Sequence, residues 1–193
     1  MLKDSKIVSN KRETVDYFRV VFDAPEISQA ANPGQFVHVK IFGLSDRILR
    51  RPFSICDCSS DGRLEILYKV VGEGTKFLSG LKQGSICSLM GPNGNGFSNP
   101  AGKIPVLVTG GYGSAATFML SKITSRKGFF LAGAKTADDI LLAEKYKANG
   151  FDIEIATDDG SIGEKGFVTK LLENFINKHR NDIANFAFYS CGP

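Results

Sequence analysis

The sequence predicts two domains: a small antiparallel β-barrel of six strands, followed by an α/β domain built on a parallel sheet. Residues 3–90 contain short alternating segments rich in Val, Ile, Phe and Tyr, separated by turn signals such as Pro33-Gly34. Residues 103–193 instead alternate apolar strand segments with helical ones. A chain of 193 residues is long enough for two small domains. We place them at residues 1–98 and 99–193.

Six segments of the first domain have the composition of strands. They span residues 3–10, 17–22, 36–41, 51–57, 64–71 and 85–90, and one short helix is expected at about residues 75–81. The turn signals Ser60-Asp61-Gly62 and Gln83-Gly84 separate the later strands. Strands of this length and spacing are typical of a small antiparallel barrel.

The second domain alternates strands at residues 104–109, 129–132, 151–157 and 186–190 with three helices. The continuous apolar run 104–109 indicates a strand buried on both faces. Helices are expected at residues 115–123, from Thr136 to Gly150, and at 168–179, where Thr136 and Asp139 have the spacing of a capping box. This order predicts a parallel sheet with helices on both faces. Residues 91–102, rich in Gly and Pro, form the expected linker.

Composition excludes several classes of protein. Hydrophobic residues make up 42% and charged residues 23% of the chain, as in ordinary globular proteins. The net charge is +4, and the Lys and Arg residues are scattered among acidic ones. A nucleic-acid-binding protein usually clusters its basic side chains. No apolar run approaches the ~18 residues of a membrane span, and residues 1–6 lack the apolar segment of a signal peptide. We expect a cytoplasmic protein that binds neither nucleic acid nor membrane.

The cysteines indicate a reducing compartment and no metal site within this chain. Cys56, Cys58, Cys87 and Cys191 form no C-x-x-C pair, and only two histidines accompany them. The first three are expected to be small buried side chains. Cys191 differs because it ends a predicted strand and precedes Gly-Pro.

Two segments of the first domain point to an anion. Arg51 belongs to the Arg-Arg-Pro-Phe-Ser segment that opens a strand, and a guanidinium matches phosphate geometry. Gly72-Glu73-Gly74-Thr75 precedes a helix, where backbone amides and the helix dipole favour an anion. A basic strand entrance and a plain strand-to-helix turn are the structural alternatives. Together the two segments outline a site for a pyrophosphate.

The second domain carries a glycine turn of the dinucleotide-binding type. From Gly111 the sequence fits G-x-G-x-x-A after a buried strand and before a helix. The acidic residue expected about 20 positions later is absent, so this is not an ordinary Rossmann dehydrogenase. Thr157-Asp158-Asp159 and Cys191-Gly192-Pro193 follow two other strands, at the sheet edge where ligands bind. For the two acids, a solvated turn with a helix cap is an equally open interpretation.

Several of these motifs resemble the ferredoxin reductase superfamily. They are the Arg-Pro-Phe-Ser strand at 51–54, the Tyr-Lys-Val-Val-Gly-Glu-Gly-Thr segment at 68–75 and the linker Gly-Pro-Asn-Gly-Asn-Gly-Phe at 91–97. Residues 156–161 and 166–169 make the chain most similar, over essentially its whole length, to the electron-transfer subunits of two-subunit NAD-dependent dihydroorotate dehydrogenases.

The resemblance implies that the barrel binds FAD and the α/β domain binds NAD(H). Arg51 would pair with the FAD pyrophosphate, and Ser54 and Cys191 would be the catalytic residues, facing the flavin ring and the nicotinamide. The other implied cofactor-binding residues are Pro52, Phe53, Leu67, Tyr68, Lys69, Gly74, Thr75, Gly110, Gly111, Gly113, Thr157, Asp158 and Gly192. Phe53 stands where many relatives have Tyr, and Ala115-Ala116 stands where many place Pro.

The resemblance also implies partners that lie outside these residues. A complete, longer subunit would hold a 2Fe-2S cluster on four further cysteines and would assemble, as a heterotetramer, with an FMN-containing dihydroorotate dehydrogenase catalytic subunit. The predicted strand 186–190 ends three residues before the last one with no covering helix. We therefore expect these 193 residues to bind FAD without iron and to reduce only artificial acceptors.

Two other functions fit the same motifs. One is a sibling reductase subunit of the ferredoxin:NADP or sulfide dehydrogenase type, which would differ in its partner. The other is a non-catalytic module that keeps bound flavin. We expect this protein to prefer NADH over NADPH, because the stretch after the second strand of this domain offers only Lys135 as a cation, and Asp138 and Asp139 would repel a 2′-phosphate.

Overall fold

The computed structural model describes residues 1–43, 49–124 and 126–192. The chain folds as two compact units, Met1–Gly96 and Phe97–Pro193.

The first unit is a curled antiparallel sheet with two helices. Its elements are β1 (Leu2–Arg12), β2 (Tyr17–Asp23), α1 (Pro25–Ala30), β3 (Phe36–Ile41), β4 (Arg51–Ser54), β5 (Asp57–Cys58), β6 (Arg63–Lys69), α2 (Glu73–Gly80) and β7 (Ile86–Asn93). The strand order is β4-β3-β7-β1-β2-β6-β5. Helix α1, which begins with Pro25 in the first turn, was not predicted.

The described residues form seven strands rather than the predicted six, because the predicted strand 51–57 changes partners midway. The Ile55 N–H donates to the Gln35 carbonyl at 3.0 Å, beside β3. The next N–H, that of Cys56, donates to Glu65 of β6 at 2.8 Å. The segment therefore divides into β4, paired with β3, and β5, paired with β6.

The sheet curls into a half-barrel, which agrees with the predicted small antiparallel barrel apart from the number of strands. Val37, Val39 and Ile41 are buried on one face of β3, as period-two alternation requires. The Phe53 ring of β4 meets the Tyr68 ring of β6 edge to face, with centroids 5.9 Å apart. These strands lie near opposite ends of the strand order, so the sheet must bend to bring them together.

The second unit contains the predicted parallel sheet. Its elements are β8 (Ile104–Gly110), α3 (Ser114–Ile123), β9 (Phe129–Ala134), α4 (Ala143–Ala148), β10 (Asp152–Thr157), β11 (Glu164–Lys165), α5 (Val168–Lys178) and β12 (Phe186–Cys191). The order is β11-β10-β9-β8-β12, with parallel pairs. Helix α5 packs Leu171 and Phe175 against Val106 and Leu131. The opposite face is covered by α3 and α4, which confirms burial on both faces.

The helix expected to open at Thr136 begins later. Residues Ala137–Asp139 form a 3₁₀ turn, and α4 starts only at Ala143, after Leu142 adopts a φ of 63°. The Thr136 hydroxyl donates to the Asp139 carboxylate at 3.3 Å across this turn. The predicted end of the helix is confirmed, because Gly150 follows it with a φ of 87°.

A buried tyrosine joins α4 to the start of α3. Tyr146 has no exposed surface and stacks on Phe130, with ring centroids 3.8 Å apart. Its hydroxyl donates to the Ser114 carbonyl at 2.6 Å and lies 2.7 Å from the Thr117 hydroxyl. Since Ser114 is the first residue of α3, the tyrosine holds the helix turn that follows the glycine segment.

We predict that Tyr146→Phe lowers the free energy of unfolding by about 1–3 kcal/mol, because it removes one buried partner and leaves the Thr117 hydroxyl without it. Tyr112→Phe is the matched control: its side chain is 49% exposed, so its effect should stay within about 0.5 kcal/mol. Urea denaturation at constant m-value measures both. Equal stability of the two variants would contradict the role given to the Tyr146 hydroxyl.

Candidate functional site

The first site, which we call the anion cradle, consists of Arg51 and residues 72–75. A Cβ built on Gly74 would lie 2.1 Å from Nε and 2.4 Å from Cζ of Arg51. The guanidinium at the start of β4 therefore lies against the backbone of the first turn of α2. Only glycine leaves room for this approach. The structure thus brings together the two segments that the sequence linked to an anion.

The backbone of the cradle is shaped by Thr75. Its hydroxyl accepts hydrogen bonds from the N–H groups of Val71 at 2.9 Å and Gly72 at 3.2 Å, and donates to the Gly72 carbonyl at 3.0 Å. The Lys76 N–H then makes the first helical bond, to the Gly72 carbonyl at 2.9 Å. The N–H groups of residues 73–75, which precede this bond in the chain, are those that a helix amino end offers to an anion. Thr75 therefore uses its hydroxyl within the loop.

The aromatic residues beside the cradle belong largely to the core. Tyr68 is 2% exposed, stacks on Phe18 and donates its hydroxyl to Asn10 Oδ1 at 3.2 Å. Burial raises the pKa of the Tyr68 phenol well above its ordinary value, so the hydroxyl remains protonated. Leu67 is also buried, and the Lys69 ammonium lies 4.9 Å from the centroid of the Tyr17 ring.

The three β4 residues after Arg51 are the more accessible predicted contacts. Pro52 is exposed, while Phe53 and Ser54 are half-buried. In the β3–β4 ladder Phe53 pairs with Val37 and Ser54 with Phe36. Of the residues predicted around the flavin, these three can offer side-chain surface to a ligand.

Asn10 is a positioning residue that the sequence did not reveal. Its side-chain amide donates to the carbonyls of Leu78 at 2.7 Å and Leu81 at 3.2 Å, at the carboxyl end of α2. It therefore connects β1 to the helix that carries the cradle. The register of β1 shifts between Ile7 and Ser9, so the alternation of this strand does not predict where Asn10 lies. A lone polar residue in a strand was the only available signal.

The second site, which we call the glycine turn, follows β8. Residues Gly111–Gly113 form a 3₁₀ turn that leads into α3. A Cβ on Gly113 would lie 2.1 Å from the Cys191 carbonyl oxygen and 2.9 Å from the Gly192 Cα. A Cβ on Gly192 would lie 2.8 Å from the Gly110 nitrogen. The structure thus brings together the predicted residues of both segments, while Pro193 lies outside the described residues.

Cys191 ends β12, in register with Thr109 of β8. The side chain is half-buried, and burial raises the pKa of its thiol. The thiol is therefore neutral near pH 7. Such a group offers packing and a weak hydrogen bond to a neighbouring ligand, rather than a nucleophile.

The two acids after β10 differ in role. The Asp159 carboxylate accepts hydrogen bonds from the Ser161 N–H at 2.9 Å and hydroxyl at 2.7 Å, and these bonds lower the pKa of Asp159. Thr157 is buried, and its hydroxyl donates to the Ile162 carbonyl at 2.8 Å. Asp158 is exposed. Asp159 and Thr157 therefore build the loop, and Asp158 is the acid available to a ligand.

Phe167 belongs to the segment 166–169 on which the resemblance was based. Its side chain is 69% exposed at the residue before α5, just after β11. An aromatic residue flanked by Gly166 and a helix start is the signal that marks it.

Within residues 1–43, 49–124 and 126–192, no group of three or more His, Cys, Asp or Glu side chains is arranged to hold a metal ion. Over the same ranges, every helix is too short or too polar to cross a bilayer.

Comparison with known proteins agrees with both units. Residues 2–97 match the family described as oxidoreductase FAD-binding domain. In solved structures, the NADH-dependent reduced ferredoxin-NADP oxidoreductase superposes with a TM-score of 0.78 at 25% identity, over 98% of this chain and 67% of that one. The ferredoxin NADP+ reductase of Neisseria gonorrhoeae, solved with FAD and NADP, superposes with a TM-score of 0.79 at 18% identity, over 99% and 85%. The latter likeness shows the fold alone.

Curated relatives match along the whole chain. The dihydroorotate dehydrogenase B (NAD(+)) electron transfer subunit of Bacillus cereus is 36% identical over 201 residues, which cover all of this chain and 75% of the relative. The protein of the same name from Bacillus mycoides is 35% identical with the same coverage. These matches confirm the resemblance drawn from the motifs. The chain belongs to the family of dihydroorotate dehydrogenase B (NAD(+)) electron transfer subunits, FAD-dependent oxidoreductases with the ferredoxin reductase-like fold.

Proposed function

We propose that this chain takes electrons from NADH onto FAD and delivers them, within a heterotetramer, to an FMN-containing catalytic subunit that interconverts dihydroorotate and orotate. The observation that carries the proposal is the anion cradle, in which the Arg51 guanidinium lies against Gly74. The names of the full-length relatives support the partner and the substrate. A cytoplasmic setting fits the four cysteines, each of which is a thiol rather than half of a disulfide.

The cradle fits the pyrophosphate of a dinucleotide. A guanidinium supplies a planar fork of donors, and the amino end of α2 supplies backbone N–H groups and a favourable dipole. Gly74 keeps the two close together, since a Cβ there would overlap Arg51. Arg51 and the amides of residues 73–75 would therefore hold the FAD phosphates, with Phe53 and Ser54 beside the ring.

The chemistry is supplied by FAD, which when bound accepts hydride from NADH and releases electrons singly. The residues of this chain bind and orient. Arg51 would hold the negative charge of the phosphates, and the neutral Cys191 thiol would pack beside the nicotinamide. Asp158 would accept hydrogen bonds from ribose hydroxyls. None of these tasks requires a side chain to gain or lose a proton.

The 2Fe-2S cluster that the family resemblance implies does not fit the cysteines described. A cluster of this kind needs four ligands. Cys56 and Cys87 are buried in the first unit, whereas Cys191 ends a strand of the second. Any such cluster would need cysteines outside these residues, in line with relatives of which this chain covers 75%.

NADH added without oxygen tests the proposal against a module that merely keeps flavin. We expect the bound flavin to bleach and then to recolour when an artificial one-electron acceptor such as ferricyanide is added, whereas recolouring by the FMN-containing subunit and orotate should require the longer, cluster-bearing subunit. An unchanged flavin spectrum with NADH would favour the non-catalytic module. Transfer from the longer subunit to ferredoxin, but not to the FMN-containing subunit, would favour a sibling reductase.

We predict that Arg51→Ala weakens FAD binding roughly 10–150-fold, because a charge-assisted hydrogen bond contributes about 1.5–3 kcal/mol. Arg51→Lys keeps the charge without the fork and should recover only part of the loss. Arg63→Ala is the control, since Arg63 pairs with Asp23 at 3.0 Å on the surface of the sheet. Fluorescence titration of apoprotein with FAD measures all three. Unaltered affinity in Arg51→Ala would remove Arg51 from the phosphate site.

We also predict that NADH reduces the flavin faster than NADPH does. The exposed Asp158 would repel a 2′-phosphate, in addition to Asp138 and Asp139. One unit charge at 4 Å in water changes the interaction by about 1 kcal/mol, so Asp158→Asn should narrow the preference about fivefold. Asp152→Asn, at the opposite end of β10, is the control because Asp152 is exposed as well. Stopped-flow measurement of flavin reduction by NADH and NADPH at matched concentrations tests this prediction. Faster reduction of the wild-type flavin by NADPH would refute the preference for NADH.

A further inference from the structure

We propose that Gly113 is a positioning residue for Cys191: its missing side chain lets the end of β12 lie against the glycine turn and so places the Cys191 thiol there. The sequence assigned this glycine to the approach of a dinucleotide phosphate. The neighbours that exclude a Cβ are instead atoms of the chain itself. The consequence for NADH, unlike the placement itself, rests on the function proposed above.

The contact at Gly113 is between backbones. A Cβ there would lie 2.1 Å from the Cys191 carbonyl oxygen, 2.6 Å from the Cys191 carbonyl carbon and 2.9 Å from the Gly192 Cα. Carbon atoms in contact lie about 3.5–4.0 Å apart, so a methyl group would push the segment away by about 1 Å. A backbone cannot rotate aside as the end of a long side chain can. The conflict is therefore resolved only by moving residues 191–192.

A second glycine meets the turn from the other side. A Cβ on Gly192 would lie 2.8 Å from the nitrogen and 3.0 Å from the Cα of Gly110. The parallel ladder between β12 and β8 runs from Phe186 to Cys191, where Cys191 pairs with Thr109. The ladder brings the end of β12 to the glycine turn, and the missing side chains of Gly113 and Gly192 allow the two backbones to come into contact. Cys191 is thus held by backbone on both sides.

The placement gives the thiol its environment. Cys191 is half-buried, and its burial raises the pKa of the thiol. Displacing residues 191–192 would expose the thiol and lower its pKa toward the ordinary value. Alkylation requires the thiolate, so a lower pKa makes it faster at a pH below the pKa. The reactivity of Cys191 therefore reports its position without any cofactor or substrate.

The test compares Gly113→Ala with Gly80→Ala in the full chain. Gly80 ends α2 with nothing within 4 Å of its would-be Cβ, so it adds the same methyl group harmlessly. Iodoacetamide labelling followed by peptide mapping gives the rate at Cys191, with the half-buried Cys58 of the first unit as internal reference. We expect severalfold faster labelling of Cys191 in Gly113→Ala alone, because the thiol becomes more exposed and more readily ionised. Wild-type labelling in a folded Gly113→Ala would overturn the proposal.

Two further measurements separate positioning from general loosening. Hydrogen exchange over β9 and β10 should stay as in the wild type, whereas faster exchange there would assign Gly113 a merely structural role and overturn the proposal. If Gly113→Ala does not fold, Gly192→Ala displaces the same segment from its other side. It should raise labelling of Cys191 similarly, and an unchanged rate in that variant would also overturn the proposal.

The effect on NADH is measured separately. With FAD bound, Gly113→Ala should slow flavin reduction by NADH about tenfold, because a shift of about 1 Å disturbs the alignment of reacting groups. FAD affinity should not change, since the cradle belongs to the other unit. Faster labelling of Cys191 combined with wild-type reduction would support the placement while refuting the role of Cys191 beside the nicotinamide.

Discussion

The absence of a single methyl group at Gly74 governs the first site, because it lets the Arg51 guanidinium lie against the first turn of α2. The helix amino end and the cation then act on the same volume, where an anion gains from both. Thr75 and Asn10 serve this contact indirectly. Thr75 shapes the loop before the helix, and Asn10 holds the carboxyl end of the helix to β1. This site thus depends on how closely the Arg51 side chain approaches the backbone of α2.

Local patterns in the sequence were sufficient for most of the fold. The apolar run at 104–109 predicted a strand buried on both faces, and β8 is one. The glycine-rich segment before α2 and the arginine of β4 were correctly linked to each other. Both inferences depend on periodicity and residue chemistry, which act over a few positions. The parallel order of the second sheet followed from the alternation of strands and helices.

What the sequence did not predict depends on contacts between distant residues. The split of 51–57 into two strands arises because Ile55 and Cys56 find carbonyl partners on different strands. The late start of α4 goes with a 3₁₀ turn at Ala137–Asp139 and with the positive φ of Leu142. The separate roles of Asp158 and Asp159 depend on Ser161, which captures only the second carboxylate. Local sequence patterns do not predict which distant residue a polar group will hydrogen-bond.

The two glycine contacts differ in a way that separates binding from alignment. At Gly74 the atoms that a methyl group would meet are the end of a flexible side chain, so the guanidinium could swing away while the fold persists. Under the proposed function, substitution there would weaken the hold of Arg51 on the FAD phosphates. At Gly113 the atoms are backbone, so the end of β12 must move and carry Cys191 with it. Affinity for the flavin and placement of the thiol thus depend on different atoms in different units, and each can change while the other remains.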